Sequence, residues 1–177
     1  MIPLLNKPKN STRSTPKVYL AGKIRKNCWR HALVEGLREH HWDMGDLPQP
    51  TFTYMGPHFV SCDHGCAHQP TQHGVENSCV IDDSVPRQEV VQLCFTALRN
   101  SDLVFCYLDS RDCYGTLVEI GYAIAMKKVV VVALSEKLNR FIRNEHWFGC
   151  TGATKAYYAV RERDLPCLLA TSLEALK

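Results

Sequence analysis

Leu103-Val104-Phe105-Cys106-Tyr107-Leu108, then Asp109-Ser110-Arg111-Asp112-Cys113-Tyr114-Gly115-Thr116, then Leu117, Ile120, Gly121, Ile124 and Ala125 at helical spacing, then Val129-Val130-Val131-Val132-Ala133-Leu134: this stretch decides the fold. Two short runs without a polar residue read as strands covered on both faces. The spaced apolar set between them reads as an amphipathic helix, stopping at Lys127 and Lys128. A strand, a polar loop, a helix and another buried strand make one unit of a parallel sheet, because parallel neighbours need a crossover connection.

Working outward, Val18 to Ala21 is a third apolar run, ending at Gly22. After it Trp29, Leu33, Gly36 and Leu37 recur at helical spacing, with Asn27 as a candidate cap. A short strand is expected at Thr51 to Tyr54. A helix is expected with Ser84 as N-cap, Pro86 in its first turn, and Val90, Cys94, Ala97 and Leu98 on one face. Beyond Ser135 the pattern predicts a helix around Leu138 to Arg143, an aromatic stretch at His146 to Phe148, an apolar run Cys167 to Ala170, and a last helix capped by Thr171 or Ser172. The whole is an α/β chain with a doubly wound parallel sheet.

A chain of 177 residues buries one substantial core, so the expected organisation is a flexible tail over 1–16 and one domain over 17–177, interrupted by an insertion at 55–83. Twenty-one Lys plus Arg against 18 Asp plus Glu leave a net charge of +3 with no long basic run, which argues against long nucleic acids as partners. The nine cysteines are odd in number and irregularly spaced, which fits a reducing compartment and a cytoplasmic protein. No run approaches the about 20 apolar residues of a membrane span, so no membrane association is expected.

In doubly wound sheets ligands bind beyond the carboxyl ends of the strands, which directs attention to the residues after Ala21 and after Leu108. Gly22-Lys23-Ile24-Arg25-Lys26 offers close backbone approach and three cations, suited to a phosphate or a sugar hydroxyl, although a solvated basic turn has the same composition. Asp109, Asp112 and Glu119 bring three carboxylates to the second mouth. Glu119 lies off the helix's core face, where the positive end of the helix dipole favours its ionised form. A positioned carboxylate can attack an anomeric carbon, while a second acid, Asp112 or Asp109, protonates the leaving group. The alternative is that Glu119 favours the helix start and the aspartates shape a turn. Asp102, at the far end of the same strand, reads as structural.

These residues carry a resemblance. Val18-Tyr19-Leu20-Ala21-Gly22-Lys23-Ile24-Arg25 and Ser101-Asp102-Leu103-Val104-Phe105, followed by Gly115-Thr116-Leu117-Val118-Glu119-Ile120-Gly121-Tyr122-Ala123, resemble the nucleoside 2-deoxyribosyltransferase superfamily, which includes the deoxynucleoside 5′-monophosphate N-glycosidases. The resemblance covers Lys17 to His41 and Arg87 to Leu134. It implies a flavodoxin-like sheet of about five strands, a glutamate nucleophile at Glu119, no metal or organic cofactor, and a homodimer or higher homo-oligomer. Tyr19 and Gly22 match the first-loop tyrosine and glycine, Arg25 the arginine near phosphate, and Asp112 the acidic residue before Gly115-Thr116. The chain departs from the pattern at Cys94, where an Asp or Asn often helps hold the sugar or the nucleophile.

The implied activity is cleavage or exchange of the base-to-sugar bond of a nucleoside or its 5′-monophosphate. NAD glycohydrolysis, or a non-catalytic nucleotide sensor motivated by Cys94, are the alternatives. Gly-Thr-x-x-Glu is also similar to the phosphoribohydrolases, though Asp-Cys-Tyr-Gly stands where Pro-Gly-Gly is expected. The insertion carries Cys62, His64, Cys66, His68, His73 and Cys79, which would serve a structural zinc or a substrate-contacting lid, with His64, His68 and Tyr54 as candidate base contacts.

Overall fold

The computed structural model describes residues 14–25, 28–40, 45–57 and 87–176. They form a six-stranded sheet: β1 (Lys17–Gly22), β2 (Leu47–Pro48), β3 (Thr53–Gly56), β4 (Leu103–Leu108), β5 (Val129–Ser135) and β6 (Lys155–Val160), in the order β2-β3-β1-β4-β5-β6. All neighbours are parallel except the short edge strand β2, which runs antiparallel to β3. The five parallel strands have the flavodoxin-like order, in which the chain steps outward from β1 to β3 and then back across to β4. Loops leaving β1 and β4 therefore diverge at the carboxyl edge and open a crevice between them.

Strand alternation divides the core. Val18 and Leu20, with Leu103, Phe105 and Tyr107, face Trp29, Leu37 and the helix α5 (Leu165–Glu174). Tyr19, Ala21, Val104, Cys106 and Leu108 face α1 (Arg87–Asn100) and α2 (Tyr114–Ala125), which are joined by a parallel stack of Phe95 on Tyr122 at 4.3 Å. Lys127 takes a left-handed φ of 56° where α2 ends, so the helix stops where the sequence predicted. At the opposite, amino edge, Asp102 accepts a hydrogen bond from the Lys17 amide at 2.8 Å, a structural role far from the crevice.

Several expectations are corrected. The residues after β1 form only a 3-10 turn, Trp29–Ala32, followed by turns to Glu39, because Arg30 folds inward onto the strand end and Gly36 takes φ 76°. The strand expected at Thr51 to Tyr54 lies two residues later, so Met55 and Gly56 belong to β3 rather than to the insertion. Pro16, assigned to the tail, already accepts from the Thr53 amide. Within α2 the buried positions are Thr116, Ile120 and Ala123, with Gly121 and Ala125 exposed beside the next helices. The helix expected around Leu138 is α3 (Arg140–Glu145), and the aromatic stretch opens α4 (Trp147–Gly152). Cys167 to Ala170 is interior to α5, which has Pro166 in its first turn; Thr171 and Ser172 bond back to the carbonyls of Cys167 and Leu168 instead of capping. Asn27, Ser84, Pro86 and the Cys/His cluster, including His64 and His68, lie outside the described residues. Among the described residues no helix is long and apolar enough to cross a membrane.

Candidate functional site

The crevice between the two diverging loops holds a cavity of 230 Å³. Gly22, Lys23 and Ile24 come from the loop after β1. Asp112, Cys113, Tyr114, Gly115 and Thr116 come from the loop after β4 and the first turn of α2, and Glu119 stands one turn deeper. The two segments singled out in the sequence thus meet in one place.

Glu119 sits where α2 passes over β1. Tyr19, fully buried on the strand beneath, donates its hydroxyl to Glu119 Oε1 at 2.5 Å. Burial of the Glu119 carboxyl pushes its pKa up to about 7, against the hydrogen bond from Tyr19 and the positive field of Arg30, which pull it down. This reverses the expectation that the helix dipole leaves Glu119 readily ionised: desolvation is the larger effect. Tyr19 is pushed well above the usual phenol value by burial and by Glu119, so its hydroxyl keeps its proton and donates. Cys94, on α1, interacts with both; burial raises its thiol to about 11, so a neutral sulfhydryl stands at the position where the resemblance places an Asp or Asn.

The rim is built differently. Lys23 Nζ donates to Asp112 Oδ2 at 2.5 Å, and the hydrogen bond from Lys23 holds the Asp112 carboxyl down at about 2. Asp112 is therefore an anion in the free protein and an acceptor, not a ready proton donor. Arg25 grips Asp109 with both guanidinium nitrogens, the longer contact being 3.2 Å. Both pairs link the loop after β1 to the loop after β4. Arg25 and Asp109 do not line the cavity itself.

Tyr54, a candidate base contact, is instead fully buried in the core on β3, where its hydroxyl donates to the Pro57 carbonyl at 2.5 Å. The sequence reading missed Arg30, which is fully buried beneath the loop after β1 and donates to the carbonyls of Leu20, Gly22 and Lys23. The adjacent pair Trp29-Arg30 with Gly22 was the available signal: a Cβ on Gly22 would lie 2.9 Å from the Tyr107 carbonyl oxygen and 3.2 Å from both Arg30 and Trp29. Among the described residues no group of three His, Cys, Asp or Glu side chains is placed to hold a metal ion.

The family model described as nucleoside 2-deoxyribosyltransferase like matches residues 15–137, more than two thirds of the chain. No curated protein matches it.

Proposed function

We propose that this chain, which belongs to the nucleoside 2-deoxyribosyltransferase-like family, cleaves or exchanges the N-glycosidic bond of a nucleoside or nucleoside 5′-monophosphate through a covalent glycosyl-Glu119 intermediate. The observation that carries this reading is the Glu119 carboxyl set in the cavity wall with the Tyr19 hydroxyl 2.5 Å from it. In the first step an oxygen of ionised Glu119 bonds to the anomeric carbon, the carbon–nitrogen bond breaks, and the base leaves with the electron pair and takes a proton from water. In the second, water or the ring nitrogen of another base bonds to the same carbon and releases Glu119. Water makes the protein a hydrolase, a second base a transferase.

Tyr19 orients Glu119 and stabilises its charge through the hydrogen bond. Gly22, Ile24, Gly115 and Thr116 bring main chain close to the sugar, while Lys23 and Arg25 supply charge for a 5′-phosphate, exchanging Asp112 and Asp109 for ligand oxygens. Asp112, ionised beside Lys23, acts as acceptor and organiser of the rim. No resident cofactor takes part in these steps.

A homodimer is supported by exposed apolar side chains: Tyr114 and Val118 on α2, and Trp147 and Phe148 on α4, are 72%, 59%, 62% and 77% exposed. Light scattering on the purified protein tests it, with a monomer as the contrary result. Cytoplasmic location rests on the cysteine reading.

The experiment for the activity is a panel of nucleosides, their 5′-monophosphates and NAD, with and without an acceptor base, followed by chromatography of free base. Base release that disappears in Glu119→Gln supports the glycosidic reading, and the preferred substrate separates nucleoside chemistry from NAD glycohydrolysis. The neutral thiol of Cys94 favours one competing reading, a nucleotide sensor. Ligand binding without release of any base would replace the enzyme by that sensor.

A further inference from the structure

The parts of a nucleoside or nucleotide need different surroundings, and the cavity supplies them at different depths. The Glu119 carboxyl must reach the anomeric carbon, so the sugar belongs at the floor. Attack on that carbon comes from the side opposite the departing base. With Glu119 beneath the sugar, the base therefore lies outward, towards the mouth. The cavity measures 230 Å³, below the roughly 300–1,000 Å³ of a pocket that encloses a drug-sized ligand. A sugar seated at the floor carries its base out to the rim.

Two large apolar side chains line the cavity, and they come from its two walls: Ile24 on the loop after β1, and Tyr114 on the first residue of α2. Ile24 is half-buried and leans on the core. Tyr114 is 72% exposed, and among the described residues its ring meets no other aromatic ring and its hydroxyl has no hydrogen-bond partner. Its position is nonetheless held, because the Leu117 amide donates to the Cys113 carbonyl at 3.0 Å and closes the first helical turn around it. A Cβ added to the adjacent Gly115 would meet nothing within 4 Å, so the helix start at the mouth is uncrowded. Tyr114 also differs from the other exposed apolar side chains that support the homodimer, since Val118, Trp147 and Phe148 do not line this cavity. An aromatic ring left to water on a rigid element at a ligand mouth has its own apolar surface still to bury against a flat partner.

We propose that Tyr114 is the base platform of this site: its ring stacks on the face of a purine or pyrimidine whose sugar lies over Glu119, and Ile24 covers the base from the other wall. The inference rests on the reading of the cavity as a nucleoside or nucleotide site, and it deepens that reading by naming the side chain that touches the base. Every base has a π face, so a platform of this kind selects by stacking area rather than by hydrogen-bonding pattern. Purines are favoured over pyrimidines, with little choice between two purines. The contact is made in the ground state and the transition state alike, so it acts on KM rather than on kcat.

The test is calorimetric binding of purine and pyrimidine nucleosides, their 5′-monophosphates, and the matching sugar phosphates that lack a base. The full-length protein carries Glu119→Gln, so that no ligand turns over, alone and with Tyr114→Ala, Tyr114→Phe or Tyr114→Trp. Tyr114→Ala is expected to weaken purine ligands by about 5- to 100-fold and pyrimidine ligands less, and to leave base-free sugar phosphates within about twofold. Tyr114→Phe and Tyr114→Trp should keep the parent affinity. Light scattering on the same samples reads the assembly. Equal losses for ligands with and without a base, or a loss that tracks dissociation of an oligomer, overturn the platform and assign Tyr114 to a subunit contact. Unchanged purine affinity in Tyr114→Ala, or no rescue by Tyr114→Phe, overturns it as well. Binding needs no turnover: a protein with Tyr114-dependent affinity whose wild type releases no base loses the glycosidic reading and keeps the platform, whereas one that binds none of these ligands loses both.

Discussion

Asp112 and Glu119 belong to one loop-helix segment and line one cavity, yet the first is held down at about 2 and the second pushed up to about 7. Asp112 sits on the half-open rim, where Lys23 lies 2.5 Å away and water covers much of the remainder. Glu119 lies deeper, between β1 and α1, where a phenol, a thiol and a distant guanidinium replace water. The same functional group is a permanent anion in one place and a group poised near neutrality in the other. The hydrogen bond from Lys23 sets the one and desolvation sets the other.

The sharpest way to break this contrast is Glu119→Gln. Turnover in the base-release assay should fall by at least about 10³-fold while nucleotide binding persists. An unchanged rate would remove Glu119 from the chemistry. The wild-type pH profile carries the same information: kcat/KM should rise with pH through about 7 as Glu119 loses its proton. The sign for stability is opposite. A carboxyl whose folded pKa is raised stabilises the fold below its unfolded pKa, and that contribution is lost as pH rises through about 7. At pH 8, then, Glu119→Gln should melt at higher temperature than wild type, with the gap closing by pH 4.

Tyr19→Phe removes the hydroxyl that stabilises the Glu119 charge. A 10- to 100-fold loss in kcat/KM, roughly what a hydrogen bond to a charged group is worth, together with an upward shift of the rising limb, is the expected result. Loss of rate with the limb unmoved would assign Tyr19 to substrate contact instead. Gly22→Ala tests the wall between floor and rim: the added methyl meets the Tyr107 carbonyl at 2.9 Å, and denaturant unfolding should show a loss of about 1–3 kcal/mol. The smallest effect is expected for Asp112→Asn. Its ion pair is about two-fifths exposed on the Asp112 side, so the loss at pH 7 should be under about 1 kcal/mol, vanishing as pH falls towards 2, with KM changed more than kcat.

Much of the fold was legible because β4 and β5 are uninterrupted apolar runs up to the terminal Ser135 and α2 between them is periodic. β6 escaped because Lys155-Ala156-Tyr157-Tyr158-Ala159-Val160 is a half-exposed edge strand whose apolar positions follow neither period cleanly. The turn after β1 was misread for a related reason. Trp29, Leu33, Gly36 and Leu37 do recur at helical spacing, but that pattern assigns Arg30 to solvent, whereas tertiary carbonyls draw it inward and shorten the element to a 3-10 turn. At the site, strand topology was enough to bring Gly22, Lys23, Ile24, Asp112, Gly115, Thr116 and Glu119 to one cavity. Protonation was not legible, since it depends on which groups enclose Glu119, and Tyr19 and Cys94 reach it from 100 and 25 positions away in the chain.

The ion pairs Lys23–Asp112 and Arg25–Asp109 cross the crevice, so the loop after β4 already presents the loop after β1 with negative charge of the kind a phosphate ester would present. In its free form the protein is its own imitation ligand. On the proposed reading an incoming anion exchanges partners rather than simply arriving, and its affinity would reflect only how much better it fits than a carboxylate already tethered in place. Such a mouth rewards geometry over charge: stray inorganic anions gain little by entering, while a ligand that also engages the floor can open both latches together.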